Sequence, residues 1–297
     1  MTQIITVGEK IKTQLRPFLE NAEVQHRIGQ ALAKKMDPTY FASAIESVAR
    51  RNPDVLECHE LSVLGSIVSC AQIGLDPQPA LRHVAFIPRR NRHLGGKKEL
   101  CMQIMYPGYI ELARRSGVVE KVDCGTHYPD DIFEHEEGTN EYLKHIRKNP
   151  KRNAENYIGA WSVLWIASVV PGNNPLKKIC YLTRDQIEHA ASRSKSDNVW
   201  KTDPDSMREK TAIRKNLMRV SFSGEAGRSM SRAIDLEERQ ILRADELDKP
   251  GGDPDKFPHP AEEVGLTEGE IQIDTDEFER IQKEMDEEGT SFGKEAE

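Results

Sequence analysis

The stretch "HVAFIPRRNRHLGGKKELCMQIMY", residues 83–106, constrains the fold most, because it brings two apolar runs together across one short turn. "HVAFIP" and "ELCMQIMY" read as short strands. The linker between them carries Gly95 and Gly96, which suit a hairpin turn and therefore an antiparallel pair. Upstream, "DPTYFASAIESVARR" predicts a helix with Asp37 as N-cap and Pro38 at its first position, stopping before Pro53. "ELSVLGSIVSCAQIGL" places apolar residues at 61, 64, 67, 68 and 71, the pattern of a buried helix that Gly74 ends. Downstream, "GYIELARRSG" predicts a helix closed by Gly117, and "YIGAWSVLWIASVV" and "KKICYL" predict strands around the turn "PGNNP". Further helices are expected over about 183–194, 204–221 and 226–243. No regular βαβ series and no internal repeat occurs, which excludes a doubly wound nucleotide-binding fold. The fold class expected is α+β, a small antiparallel sheet with a β-hairpin packed among helices.

Charge divides the chain. The formal net charge of the 297 residues is -7, yet residues 241–297 hold 6 Lys+Arg against 19 Asp+Glu, which leaves +6 on residues 1–240. The segment "DKPGGDPDKFPHPAEE" has a Pro, Gly and charge load that forms no packed core. A basic body over 1–245 and a disordered acidic tail over 246–297 are therefore expected. In that tail Ile271, Phe278, Ile281 and Met285 share one helical face, which allows a short docking helix. No apolar run approaches the ~20 residues of a membrane span. The start "MTQIITVGEKIK" lacks the basic and apolar regions of a secretory signal. The five cysteines, irregularly spaced and without C-x-x-C, fit a reducing cytoplasm.

Motifs for bond chemistry are missing. "GGKK" at 95–98 has the wrong spacing for a phosphate-binding loop, and no G-x-S-x-G, H-E-x-x-H or kinase signature occurs. One cluster, "HYPDDIFEHEEG", gathers His127, Asp130, Asp131, Glu134, His135, Glu136 and Glu137. It reads either as a divalent-metal site, such as a metal-dependent nuclease uses, or as a solvated acidic loop or edge strand.

Basic residues beside aromatics recur. The hairpin linker holds Arg89, Arg90, Arg92, Lys97 and Lys98, the next helix Arg114 and Arg115, and "LKHIRKNPKR" holds Lys144, Arg147, Lys148, Lys151 and Arg152. Tyr106, Tyr109 and Trp200 lie next to such segments. Cations neutralise phosphates, and aromatic faces stack unpaired bases without reading sequence. Trp200, in the polar stretch "KSDNVWKTDPDS", reads equally as a stacking residue or as a loop anchor. The densest segment, "SMREKTAIRKNLMR" at 206–219, packs five cations into fourteen positions. At ~100° per residue, Arg208, Lys215 and Arg219 form one stripe and Lys210 with Arg214 another, leaving Ile213, Leu217 and Val220 as the buried side. Within this segment only Glu209 opposes the charge.

Five blocks in order, "SIVSCAQIGLDPQPALRHVAFIP", "QIMYPGYIELARRSG", "LTRDQIEHAASRSK", Trp200 and "MREKTAIRKNL", resemble the RecT-type single-strand annealing proteins of phages and prophages over about residues 40–245. The resemblance implies a core distantly similar to eukaryotic strand-annealing proteins, with a positively charged DNA groove. It also implies a protein that binds single-stranded DNA, assembles on it as a ring or helical filament, and anneals it without ATP in homologous recombination. The alternatives are the metal-dependent nuclease and a single-strand-binding protein that does not anneal. Carried over by block, the groove residues are Tyr106, Tyr109, Arg114 and Arg115, then Arg193, Lys195, Trp200 and the adjacent Lys201, then Lys210, Thr211, Arg214, Lys215 and Arg219. Two positions depart from the family: Pro107 stands where a basic residue is usual between Tyr and Gly, and Asp185 where a basic residue is common. No catalytic residue, no metal ligand and no cofactor is expected, Mg²⁺ acting at most as a DNA counterion. The acidic tail is either an inert solubilising extension or a docking arm for a companion exonuclease or the host single-strand-binding protein. The expected location is the cytoplasm of a bacterial host, without a membrane partner.

Overall fold

The computed structural model describes residues 6–33, 35–91, 97–149, 151–168, 174–192 and 197–248. The acidic tail expected over 246–297 lies outside them from residue 249 on, and with it the docking helix expected at 271–285; its first three residues end a helix. Ten α-helices and seven strands make up two compact units among the described residues. The first unit takes the chain up to Ala71 together with Phe86–Cys101; the second takes Gln72–Ala85 and the described residues from Met102 on.

In the first unit, α1 (Val7–Lys10), a π-helical turn, α2 (Arg16–Glu20) and α3 (Ala22–Leu32) precede α4 (Pro38–Arg51) and α5 (Glu60–Ile73). Asp37 caps α4 by accepting from the Tyr40 N–H at 2.9 Å, as its sequence predicts. Phe41, Ala44, Ile45 and Val48 form the buried stripe of α4. The helices before α4 were not expected from the sequence, yet Val24, Ile28 and Leu32 of α3 repeat at helical spacing and are buried. β1 (Val84–Arg90) and β2 (Lys98–Ile104) form the expected two-stranded hairpin. Two serines fasten it to α5, Ser66 Oγ donating to the Leu100 carbonyl at 2.7 Å and the Leu100 N–H donating to Ser62 Oγ at 2.9 Å. Gly74 follows α5 at φ 72°, the left-handed conformation that ends the helix as predicted.

The second unit is built on a three-stranded antiparallel sheet of order β3 (Val119–His127), β6 (Gly159–Ile166), β7 (Leu176–Thr183). β6 and β7 were expected. β3 was not, since "VEKVDCGTH" is charged and only partly alternating. β4 (Ile132–Glu136) and β5 (Tyr142–Ile146) form a second hairpin, so the acidic cluster is strand in large part. The helices are α6 (Tyr106–Arg115), α7 (Arg184–Ser192), α8 (Asp197–Thr202), α9 (Pro204–Leu217) and α10 (Gly224–Asp248). α9 lies against all three strands of the sheet, α6 packs on α9 and β3, and α10 packs on α6. No described helix is long and apolar enough to cross a membrane.

Candidate nucleic-acid interface

Helix α9 holds the basic segment, and its inner side is set by the sheet. Ala212, Ile213, Asn216 and Leu217 are buried against the strands. Ser162 Oγ of β6 donates to the Ala212 carbonyl at 2.9 Å. Asn216 Nδ2 donates to the Ser162 carbonyl at 3.1 Å and to the Lys178 carbonyl at 2.9 Å. Polar side chains thus lock the helix at one rotation about its axis, and that rotation decides where each cation goes.

Two cations expected to face outward turn inward. Lys210 is 7% exposed and forms an ion pair with Glu237 of α10, which is also 7% exposed. Arg214 Nε lies 3.2 Å from the same carboxylate, and the Tyr109 hydroxyl of α6 donates to it at 2.6 Å. Burial alone would raise the Glu237 carboxyl. Lys210, Tyr109 and Arg214 outweigh burial and hold it below the usual carboxylate range. Burial, followed by the carboxylate itself, pushes the Tyr109 phenol well up. Four side chains from α6, α9 and α10 therefore share one buried charge cluster. The expectation that Tyr109 and Lys210 line an open groove is corrected, since both are buried, and a carboxylate that the sequence reading did not single out takes Lys210 together with the half-buried Arg214.

Arg208 also turns inward. Its guanidinium lies 3.7 Å from the Tyr157 ring centroid, and Nη1 donates to Asp205 Oδ1 at 2.8 Å and to the Tyr128 hydroxyl at 3.3 Å. The Tyr128 hydroxyl in turn donates to Asp205 at 2.7 Å; burial and that carboxylate push the phenol up to about 12. Glu209 does not oppose these cations: it is half-buried beside Cys124, and loss of solvent raises its carboxyl. The charge of α9 is balanced instead from Asp205 and from Glu237, 27 residues along the chain from Lys210.

Lys215 is left exposed on the outer side of α9, with Arg219 just beyond the helix, exposed while Nη1 donates to the Ile179 carbonyl of β7 at 2.8 Å. Thr211 Oγ1 donates to the Met207 carbonyl at 2.8 Å within the helix. On α6, Arg114 is exposed and Tyr106 half-buried, while Arg115 donates to the carbonyls of Gly74 at 2.6 Å and Ile73 at 2.9 Å, capping the end of α5. Trp200 packs on a cluster that includes Tyr128, Tyr157, Leu182 and Ile187, which supports the anchor reading of its ring; Lys201 beside it is exposed. In the first unit, Arg90 and Lys97 are exposed and Arg89 half-buried at the turn end of β1–β2, whereas Lys98 is held by Asp54 at 3.0 Å and Glu57 at 2.8 Å. Arg92, Arg193 and Lys195 lie outside the described residues.

Within the His and acid cluster, Asp131 is the buried acceptor. The Asp131 side chain is 1% exposed and accepts from the Tyr128 and Lys148 N–H groups, from His145 Nε2 at 2.8 Å and from Arg152 Nη2 at 3.1 Å. Burial works against its charge, and these donors nonetheless hold its carboxyl below the ordinary range. Trp161 Nε1 can only donate, and it donates to His145 Nδ1 at 3.0 Å, so His145 carries its proton on Nε2. His127 stacks on Phe133 at 4.0 Å; burial, then the neighbouring His145, lowers its pKa despite the opposing pull of Asp131. Glu134 pairs with Lys144, and Glu137 accepts from the Tyr181 N–H. Among the described residues, no group of three or more His, Cys, Asp or Glu side chains is placed to hold a metal ion.

The two departures from the family pattern sit where their residue types suit the backbone. Pro107 lies in the first turn of α6 and Asp185 in the first turn of α7, positions that favour a proline and an acidic side chain respectively.

Comparison with known proteins gives a consistent pattern. The RecT family model matches residues 39–250. The chain is 30% identical over 234 residues to Protein RecT of Escherichia coli (strain K12), covering 78% of this chain and 82% of that protein. It is 25% identical over 201 residues to the uncharacterized protein YqaK of Bacillus subtilis (strain 168), covering 67% of this chain and 64% of that one.

Proposed function

Since the chain belongs to the RecT family, we propose that it binds single-stranded DNA, assembles on it as an oligomer, and anneals it to a complementary strand without ATP during homologous recombination. The observation that carries this reading is the family match itself, which spans α4 to α10 and so includes the basic helix α9. Physics favours the same process. Duplex formation is downhill by ~1.4 kcal/mol per base-pair step, so annealing needs no chemical fuel. Its barriers are the repulsion of two polyanions, structure within each strand and the search for register. Cations that neutralise one backbone lower the first of these.

The exposed cations Lys215, Arg219 and Arg114 are assigned to phosphates, and Arg90 and Lys97 of the hairpin add to them in the first unit. No catalytic group or nucleotide cofactor takes part, and Mg²⁺ acts as a DNA counterion. The acidic tail docks a companion exonuclease or the host single-strand-binding protein, and the site of action is the bacterial cytoplasm. One assay tests the reading: complementary labelled strands are mixed with protein and Mg²⁺ in the absence of ATP. Duplex formed faster than in the protein-free control supports annealing. Shortened strands would show a nuclease, and a shifted but unpaired strand would show coating alone.

A further inference from the structure

The sheet of the second unit has a face that α9 does not use. Along β6, Ala160, Ser162 and Leu164 are buried on the α9 side, so the alternation of a strand puts Trp161, Val163 and Trp165 on the opposite face. At one end of that face, Trp161 is bonded to His145 of the β4–β5 hairpin. About 13 Å further along the strand, four residues at ~3.3 Å each, lies Trp165. Cross-strand register sets Lys121 of β3 on one side of Trp165 and Lys177 of β7 on the other, roughly 10 Å apart across two strand spacings.

We propose that the Lys121–Trp165–Lys177 row is a seat for an unpaired base of a single strand, with the indole stacking the base and the two lysines taking the phosphates on either side. The proposal deepens the single-strand reading above and rests on it. Trp165 is only half-buried, and the Lys177 side chain is exposed with no ion-pair or hydrogen-bond partner among the described residues. Lys121 currently lies over the indole, 4.5 Å from its centroid, and is paired with Asp123 at 2.6 Å. Both members of that pair are well exposed, 60% and 39% at the side chain, so the contacts holding Lys121 are weak ones. A nucleobase on an indole is the stronger partner and is tolerant of sequence, so a base displaces Lys121 and frees its ammonium for a phosphate. Asp123 and the exposed Glu120 are the opposing charges nearby; they limit the attraction for phosphate and leave most of the binding to the stack. A strand held through this row would lie on the face of the sheet opposite α9 and its exposed cations.

The test measures binding of two fluorescent oligonucleotides of equal length, one of thymidines and one fully abasic, to the full-length protein by anisotropy. Trp165→Ala should weaken the thymidine strand about tenfold and leave the abasic strand within about twofold, while Trp165→Phe retains most of the affinity. Lys177→Ala should make the salt dependence shallower by about 0.7 in log–log slope for both strands. Because Trp165 is half-buried, the abasic strand doubles as the folding control: equal weakening on both strands by Trp165→Ala, or no weakening on either, overturns the base seat. If the unmodified protein binds neither oligonucleotide, single-strand binding itself fails. If it binds both and Trp165→Ala is neutral, only this seat fails.

Discussion

The inner and outer cations of α9 have the same chemistry and different surroundings. Lys210, buried, meets a carboxylate delivered by a helix that begins after it in the chain; Lys215, five residues on, meets solvent. The rotation of the helix, set by Ser162 and Asn216, separates the two outcomes. Positive charge in a sequence therefore marks a demand for an anion without saying whether the fold or a ligand supplies it. Here the fold supplies it on the inner side, and the outer side is left exposed.

The contrast predicts opposite kinds of damage, and the largest is to stability. Lys210→Ala leaves Glu237 buried with Arg214 in poor alignment, Arg214 Nε having no hydrogen-bond partner. Breaking one side of a buried ion pair costs about 3–5 kcal/mol, to be read from chemical denaturation. If Lys210→Ala instead keeps its stability and loses single-strand affinity, Lys210 faces DNA and the inner–outer division collapses.

Asp131→Ala ranks next. It strips four donors of one shared acceptor and should cost about 3 kcal/mol, given 1.5–3 kcal/mol for a hydrogen bond to a charged group and partial rescue by water. Calorimetric titration with Mn²⁺ sharpens the point: tight binding by the unmodified protein that Asp131→Ala abolishes would turn this hub into a metal centre after all.

What was legible in the sequence follows the same division between local and distant partners. The α4 cap, the Gly74 stop, the β1–β2 hairpin and β6–β7 all rest on neighbours within a few residues, and local pattern suffices for them. The inward turn of Lys210 depends on Glu237 and that of Arg208 on Tyr157 and Tyr128, each remote in the chain; within α9 only the Arg208–Asp205 pair, three residues apart, follows a spacing rule. β3 escaped because its inner residues are small or polar; Gly125 is needed since a Cβ there would sit 2.8 Å from the Trp161 ring.

A smaller effect should appear with acid. Burial lowers the pKa of His127, with His145 adding to that, so the folded state disfavours its charged form. The unfolded chain then binds the proton more readily. Stability from this group is complete above about pH 6.5 and is lost as pH falls toward the depressed value. Glu237, held low, adds a second loss beneath about pH 4.3. Denaturation midpoints across pH for the unmodified protein and His127→Phe check the sign: the variant should lose the upper step and keep the lower one. An upper step that persists in His127→Phe belongs to another histidine.

The smallest change in stability, and the sharpest contrast with Lys210, is expected for Lys215→Ala. The side chain is exposed and takes part in none of the polar contacts that fix α9, so its removal should shift stability by no more than about 0.5 kcal/mol. Its effect should appear in DNA binding instead. One lost phosphate contact on a single strand lowers the log–log salt slope by about 0.7, so the affinity deficit should be widest at low salt and narrow as salt rises. Lys215→Arg should keep both slope and affinity, since charge rather than shape is at issue. Arg114→Ala, exposed on α6, serves as a parallel case. If Lys215→Ala leaves the slope untouched while the protein still binds and anneals, the outer side of α9 does not face DNA, and the inner–outer contrast describes only how this helix is held on its sheet.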